Sequence, residues 1–204
     1  MQTGEAEAPL CGLVLAGGLS ARFGSDKAAA QIGGMSLLER AVRLLASCLG
    51  EVWVSVRAEQ AADRLRSRFR CLADRHPGRG PAAGLEAAHA QAPDRAWLAL
   101  ACDQPGLSAN EIRRLIAERD ADCAATAFCN PGSGAPEPLC AIYEPATLAG
   151  LAEAVAAGAA LSLRDYLGGR PLKLMPLEIT NVNNYEQFRS FAHKTTPRRA
   201  CGRE

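Results

Sequence analysis

Short apolar runs alternate with longer amphipathic segments along most of the chain. Residues 11–16 are continuously apolar, which is typical of a central strand covered on both faces. Further short runs predict strands at residues 52–56, 69–73, 96–101, 123–128, 138–143 and 172–177. Each run lies between turn signals or amphipathic segments, so the pattern predicts strands and helices in alternation.

The longer segments carry apolar residues at helical spacing. Ser36 is the expected N-cap of one helix and Ser108 of another that continues through Glu118. Further helices are predicted at residues 58–68, 82–91, 145–157, 161–167 and 185–193. The arginines of the segment at 58–70 are interpreted as a solvated helix face, with attraction of an anionic substrate as the less favoured alternative; they are Arg64, Arg66, Arg68 and Arg70.

Strands separated by helices indicate a mainly parallel sheet, because each parallel crossover needs a dozen or more residues. We therefore predict an α/β fold, a single three-layer Rossmann-like domain over residues 10–193. Residues 1–9 are expected to form a flexible N-terminus and residues 194–204 a disordered tail. Ligands of such sheets bind beyond the carboxyl ends of the strands, so the residues after each apolar run are the informative ones.

Composition narrows the possible partners. The 204 residues include 23 basic and 22 acidic ones, so the chain has no bulk positive field for nucleic acid or an anionic membrane. No apolar run approaches the roughly 18 residues of a membrane helix. The N-terminus has Glu5 and Glu7 and no basic start, which argues against a secretory signal. The eight cysteines form no CxxC pair, and we expect a cytoplasmic protein with reduced thiols.

A glycine-rich polar segment at residues 15–27, LAGGLSARFGSDK, follows the first strand. Its glycines allow backbone N–H groups to approach an anion, and Arg22 and Lys27 add two cations suited to a polyphosphate. The segment matches neither the Walker pattern nor GxGxxG. The alternative interpretation of the same residues is an ordinary glycine-rich turn with solvated charges.

Other polar segments follow or precede the predicted strands. Asp103, in the sequence CDQP, directly follows the strand at 96–101 and could be a hard oxygen ligand for Mg²⁺, or could instead form an Asx turn. Gly80 and Gly84 belong to GPAAG, where a helix N-terminus suits an anion or a nucleotide edge, although a proline at the first helical position explains the pattern equally well. The segments EPLCAIY and NVNN, which contain Glu137, Asn181 and Asn183, are weak signals taken singly. The three histidines lack the spacing of a zinc helix, and no GxSxG motif is present.

Taken in this order, these segments resemble those of the molybdenum cofactor guanylyltransferases. LAGGLSARFGSDK is similar to that family's L-A-G-G-x-S-x-R-M/F-G-x-D-K signature, and GPAAG, CDQP, EPLCAIY and NVNN resemble its later motifs. The resemblance covers residues 10–190 and implies a fold of the nucleotide-diphospho-sugar transferase type. Where the family shows Thr-Pro after its second asparagine, this chain has Asn184 and Tyr185.

The resemblance implies a GTP-binding nucleotidyltransferase that transfers GMP from GTP to the terminal phosphate of molybdopterin, releases pyrophosphate and requires Mg²⁺. Arg22, Lys27 and Asp103 would be the catalytic residues, with Asp103 also holding the metal. Glu137, Asn181 and Asn183 would contact the acceptor. The nucleotide contacts implied are Leu15, Ala16, Gly17, Gly18, Lys27, Ser55, Asp74, Gly80, Gly84 and Asp103, with Ser55 standing where relatives often have Asn.

Two alternatives stay open from the sequence. A related nucleotidyltransferase could use CTP or act on another acceptor such as a sugar phosphate, although LAGG rather than TAAG favours guanine. A non-catalytic nucleotide-binding protein is the second alternative, which the joint presence of Arg22, Lys27 and Asp103 disfavours. Expected partners are GTP and molybdopterin, with transient contacts to other cofactor-biosynthesis proteins or molybdoenzyme chaperones, and neither nucleic acid nor membrane.

Overall fold

A computed structural model describes residues 7–18, 23–159 and 161–195 of the chain. Nine strands lie in these ranges, of which seven match the predicted runs to within two residues at each end and two short ones were not predicted. They are β1 (Leu10–Leu15), β2 (Gln31–Ile32), β3 (Met35–Ser36), β4 (Val52–Val56), β5 (Cys71–Ala73), β6 (Ala96–Ala101), β7 (Ala125–Cys129), β8 (Pro136–Tyr143) and β9 (Leu172–Pro176).

Seven of these strands form one sheet in the order β5-β4-β1-β6-β8-β7-β9. All neighbouring pairs are parallel except β6 with β8 and β7 with β8, so β8 alone runs in the opposite direction among the described strands. The central strands are buried on both faces, as a sheet covered by helices on both sides requires. The predicted mainly parallel sheet is confirmed.

The reversal of β8 has a local cause. Only six residues separate β7 from β8, too few for the crossover that a parallel partner would need. The side chain of Asn130 accepts hydrogen bonds from the Gly132 and Ser133 amides, and Gly134 has a φ of +68°. This tight turn makes β7 and β8 an antiparallel hairpin.

Six helices complete the described part of the fold: α1 (Leu37–Ala46), α2 (Pro81–Gln91), α3 (Ala109–Ala117), α4 (Pro145–Ala156), α5 (Leu163–Leu167) and α6 (Tyr185–Thr195). α1 begins at the predicted Ser36 cap, whose Oγ accepts from the Glu39 amide, and α3 begins at a Ser108–Glu111 capping box. One core contains residues from α2, α4 and α5, and the other contains residues from α1 and α3. The three-layer prediction is therefore confirmed.

The predicted helix at residues 58–68 is wrong. The segment instead forms two short 3₁₀ turns, Ala58–Gln60 and Arg66–Arg68. The interpretation of its arginines as a solvated face is also wrong for one of them, because Arg66 is only 1% exposed. Its neighbours Arg64, Arg68 and Arg70 are exposed as expected.

At the start of the described chain two backbone carbonyls make specific contacts, and at its end the last helix is longer than predicted. The carbonyl oxygens of Ala8 and Pro9 accept from Arg119 and from the Ala96 amide, and α6 continues to Thr195, two residues beyond its predicted end. Residues 1–6 and 196–204 lie outside the described residues. In the described ranges, no helix combines the length and the apolar character that crossing a membrane requires.

Candidate active site

A cavity of about 480 Å³ lies at the carboxyl ends of β1, β4, β5 and β6. The strands extend their pairing there, since the Ala16 amide donates to the Ser55 carbonyl at 3.1 Å and the Asp74 amide to the Val56 carbonyl at 2.8 Å. Most residues predicted to bind nucleotide line this cavity: Leu15, Ala16, Gly17, Gly18, Lys27, Ser55, Asp74, Gly80 and Asp103. The position agrees with the rule that open α/β sheets bind ligands beyond the carboxyl ends of their strands.

Lys27 and Asp103 meet at the wall of this cavity although 76 positions separate them in the chain. The Lys27 Nζ donates to Asp103 Oδ2 at 2.9 Å, and the two side chains are 16% and 20% exposed. Lys27 opens a 3₁₀ turn whose cap is Asp26, and the Asp103 carbonyl accepts from the Val182 amide at 2.9 Å. A cation and a carboxylate are thus held together beside the backbone of Gly17 and Gly18.

Ser55 and Asp74 form a second polar pair on the cavity wall. Ser55 Oγ donates to Asp74 Oδ1 at 2.9 Å. Burial raises the pKa of Asp74, and the hydrogen bond from Ser55 partly opposes that shift. A Cβ at Gly17 would lie 3.3 Å from Asp74 Oδ2, so this glycine allows the loop to pass close to the carboxylate.

Gly84 lies behind the cavity wall, inside α2. A Cβ at this position would lie 2.3 Å from Ser55 Oγ and 2.8 Å from Leu15 Cδ2. Gly84 therefore lets α2 approach the ends of β1 and β4, and the structure gives it a packing contact with two lining residues.

We expect Gly84→Ala to lower the free energy of unfolding by about 1–3 kcal/mol, because the added methyl overpacks the contact with Ser55 and Leu15. Urea denaturation measures this change. Gly50→Ala is the matched control, since a Cβ there meets nothing within 4 Å. Equal stability of the two variants would contradict the close approach of α2.

Of the three residues predicted to contact the acceptor, one lines the cavity and two do not. Asn183 lines the cavity, whereas Glu137 and Asn181 contact each other, with 3.5 Å between Asn181 Nδ2 and Glu137 Oε2. The buried Asn181 Oδ1 has no hydrogen-bond donor among the described residues. Arg22, the remaining predicted catalytic residue, lies outside the described residues.

Three charged residues at or near the cavity were not assigned a site role from the sequence. Asp26 and Arg57 line it, and the buried Arg66 contacts Asp26 and the Ala16 carbonyl. Arg57 directly follows β4, so the strand-end rule could have identified it, and Asp26 stands beside Lys27 in the glycine-rich segment. No local signal distinguishes Arg66 from the exposed arginines around it.

The site is suited to neutralising and aligning an anion rather than to attack by an enzyme nucleophile. Burial raises the pKa of the Cys102 thiol to about 12, so this lining cysteine stays protonated at neutral pH. The described residues contain no group of three His, Cys, Asp or Glu side chains able to hold a metal ion by themselves. The backbone amides of the glycine-rich turn and the Lys27 ammonium are suited to binding the oxygens of a polyphosphate. The Asp103 carboxylate is suited to binding a divalent cation that accompanies it.

Comparison with known proteins agrees with this chemistry. The MobA-like NTP transferase domain family matches residues 12–170. A Deinococcus radiodurans protein named "Probable molybdenum cofactor guanylyltransferase" is 34% identical over 151 residues, which are 74% of this chain and 75% of that protein. A Synechocystis protein named "Molybdenum cofactor biosynthesis bifunctional protein" is 35% identical over 142 residues, or 70% of this chain, which spans 41% of that longer protein.

The fold has a close counterpart among solved structures. The crystal structure of molybdopterin-guanine dinucleotide biosynthesis protein A from Archaeoglobus fulgidus superposes with a TM-score of 0.74 and 23% identity, over 90% of this chain and 97% of the other. The predicted α/β nucleotidyltransferase fold is therefore confirmed. Together with the sequence match over residues 12–170, this establishes that the chain belongs to the MobA-like NTP transferase domain family.

Proposed function

We propose that this chain is a molybdenum cofactor guanylyltransferase, which transfers GMP from GTP to the terminal phosphate of molybdopterin. The observation that carries the proposal is the junction of Lys27 with Asp103 beside Gly17 and Gly18, in one cavity at the strand ends. The name of the relative from Deinococcus radiodurans, which this chain matches over three quarters of its length, supports the choice of substrates.

In the proposed reaction, a terminal phosphate oxygen of molybdopterin forms a bond to the α-phosphorus of GTP. The bond from that phosphorus to the oxygen bridging the β-phosphorus breaks, and pyrophosphate leaves with this oxygen and the bonding electron pair. A phosphate monoester is largely dianionic near neutral pH, since its second pKa is about 6, so the attacking oxygen needs no general base. The protein's contribution is alignment and charge neutralisation.

The roles of the described residues follow from their positions. We propose that the ammonium of Lys27 neutralises charge on the triphosphate and that the amides of Gly17 and Gly18, which line the same cavity, donate to its oxygens. We propose that Leu15, Ala16, Ser55 and Asp74, which line the cavity at the adjacent ends of β1, β4 and β5, bound the space for the nucleoside. Asn183 lines the cavity, which supports its proposed contact with the acceptor. Arg22 stays a predicted contact of the polyphosphate.

The residues present fit a magnesium ion that is shared with the substrate. Mg²⁺ is usually bound by one or two carboxylates together with substrate phosphates, and Asp103 is the carboxylate of the cavity that faces Lys27. We propose that Asp103 holds Mg²⁺ together with oxygens of the triphosphate. When bound, the ion would neutralise charge that develops on the phosphate oxygens.

Pyrophosphate release tests the proposal and its alternatives. We expect release when the protein is mixed with molybdopterin, Mg²⁺ and GTP, and at least about tenfold less with CTP, UTP or ATP at equal concentration, a discrimination of about 1.4 kcal/mol. Fastest release with CTP, or with a sugar phosphate in place of molybdopterin, would favour the related-transferase alternative. Nucleotide binding without release for any acceptor would favour the non-catalytic alternative.

The substrates also define the proposed setting of the protein. GTP and molybdopterin are its proposed partners, with transient contacts to proteins that supply the acceptor or take up the product. We propose a cytoplasmic location, where GTP is available and thiols stay reduced, consistent with the free cysteines of the described chain.

A further inference from the structure

Arg66 is the most deeply buried charged side chain among the described residues, with 1% of its surface exposed. A buried guanidinium is costly unless several acceptors surround it. Nη1 donates to Asp26 Oδ2 at 2.7 Å and to Asp63 Oδ2 at 2.6 Å, while Nη2 donates to Asp26 Oδ1 at 3.1 Å and to the Ala16 carbonyl at 3.0 Å. Burial acts to lower the pKa of Arg66, but the hydrogen bonds that Arg66 donates to Asp26 and Asp63 raise it overall, so the group stays charged.

Two of these partners, Ala16 and Asp26, lie near the two ends of the glycine-rich segment. Ala16 is the first residue after β1, and Asp26 immediately precedes Lys27. Asp26 also caps the 3₁₀ turn that begins at Lys27, because its Oδ1 accepts from the Ala28 amide at 3.1 Å. The Arg66 guanidinium thus binds both the Ala16 carbonyl, at the start of the segment, and the Asp26 carboxylate, which caps the turn that begins at Lys27.

We infer that Arg66 is a positioning residue for the triphosphate, acting through Ala16 and Asp26 without touching the substrate. Arg66 does not line the cavity, whereas Ala16, Asp26 and Lys27 do. By fixing both ends of the segment, it orders the Gly17 and Gly18 amides and the Lys27 turn before nucleotide arrives, which reduces the entropy lost on binding. It also neutralises Asp26, whose negative charge would otherwise oppose a polyphosphate in the same cavity. The inference rests on the proposed function for the identity of the nucleotide.

Arg66→Lys and Arg66→Met test this role. Lysine keeps the positive charge but has no planar fork that can reach a carbonyl and two carboxylates together. We expect both variants to bind Mg·GTP about 10- to 100-fold more weakly, the range observed when residues that orient a binding group are removed. Calorimetric titration measures this affinity at a temperature where urea denaturation shows that the variant is folded. Arg64→Met is the matched control, because Arg64 is exposed, and its affinity should equal that of the wild type.

A second readout separates positioning from general stability. Amide hydrogen exchange at Ala16 and Ala28, which donate to the Ser55 carbonyl and to Asp26 Oδ1, should accelerate in Arg66→Lys, while exchange at Leu98 and Ile142 in the buried sheet should stay unchanged. A folded Arg66→Lys variant with wild-type affinity for Mg·GTP and wild-type exchange at both alanines would overturn the inference.

A milder variant decides the question if neither Arg66 variant folds. Asp63→Asn keeps an oxygen for the Leu65 and Arg66 amides but removes the carboxylate charge that holds Nη1. It should produce the same two changes to a smaller degree, and wild-type behaviour in both would overturn the inference. If the wild type binds no GTP, the proposed function fails, whereas the exchange rates at Ala16 and Ala28 still show whether Arg66 orders the segment.

Discussion

Asp103→Asn should reduce kcat/KM for guanylyl transfer by about 10³-fold, a loss of about 4 kcal/mol of transition-state stabilisation. The substitution preserves size but removes the negative charge that faces Lys27 at 2.9 Å and that we propose holds Mg²⁺. Steady-state kinetics at saturating molybdopterin, with Mg²⁺ varied, measure the effect. The fold should persist, because Asp103 lies beyond the end of β6 and its side chain is not part of either large core.

Asp94→Asn is the control for this variant. Asp94 is an exposed carboxylate that precedes β6, at the end of the strand opposite to Asp103. It should leave both the rate and the magnesium dependence unchanged. An Asp103→Asn protein with near-normal turnover would exclude Asp103 as the metal ligand.

Lys27→Met should weaken GTP binding by at least about tenfold, equivalent to about 1.4 kcal/mol, and should also lower kcat. The reason is the loss of the Lys27 ammonium, which lines the cavity and which we propose neutralises phosphate charge there. The substitution should weaken binding only of ligands that carry phosphates, so the affinity for guanosine should change little. Titration calorimetry with GTP, GDP and guanosine separates these contributions.

Lys173→Met serves as the control for the removal of a lysine charge. Lys173 lies on β9 and is 43% exposed, with Glu118 at 3.8 Å. Since surface ion pairs contribute little, its substitution should not change the affinity for any of the three ligands. A parallel loss of GTP and guanosine affinity in Lys27→Met would mean that Lys27 contributes to the shape of the cavity rather than to phosphate binding.

The sheet could be predicted because its strands carry a strong local signal. The runs at residues 52–56 and 96–101 are apolar and end at polar residues, and both match β4 and β6 at each end. The convergence of Lys27 and Asp103 followed from one rule about parallel strands, namely that ligands bind at their carboxyl ends. The short β2–β3 hairpin was not predicted, because each of its strands has only two residues and no periodicity can be seen over that length.

The burial of Arg66 could not be predicted from the sequence. Its burial depends on acceptors at Ala16 and Asp26, each at least 40 positions away in the chain, so no pattern around residue 66 records them. The alternation of arginines there favours exposure for every member alike. Similarly, the packing role of Gly84 depends on how closely α2 approaches Ser55 at the end of β4. Only the three-dimensional arrangement of α2 and β4 shows this approach.

The central claim is that this cavity positions the α-phosphorus of GTP for transfer. Its most direct test follows labels at the α-phosphorus and at the γ-phosphorus of GTP into the products. With wild-type protein, molybdopterin and Mg²⁺, label at the α-phosphorus should appear in a product that contains both guanosine and the pterin, while label at the γ-phosphorus should leave as pyrophosphate. Release of γ-label as inorganic phosphate, with the α-label remaining in GDP, would contradict the account, because the cavity would then promote hydrolysis at the wrong phosphorus.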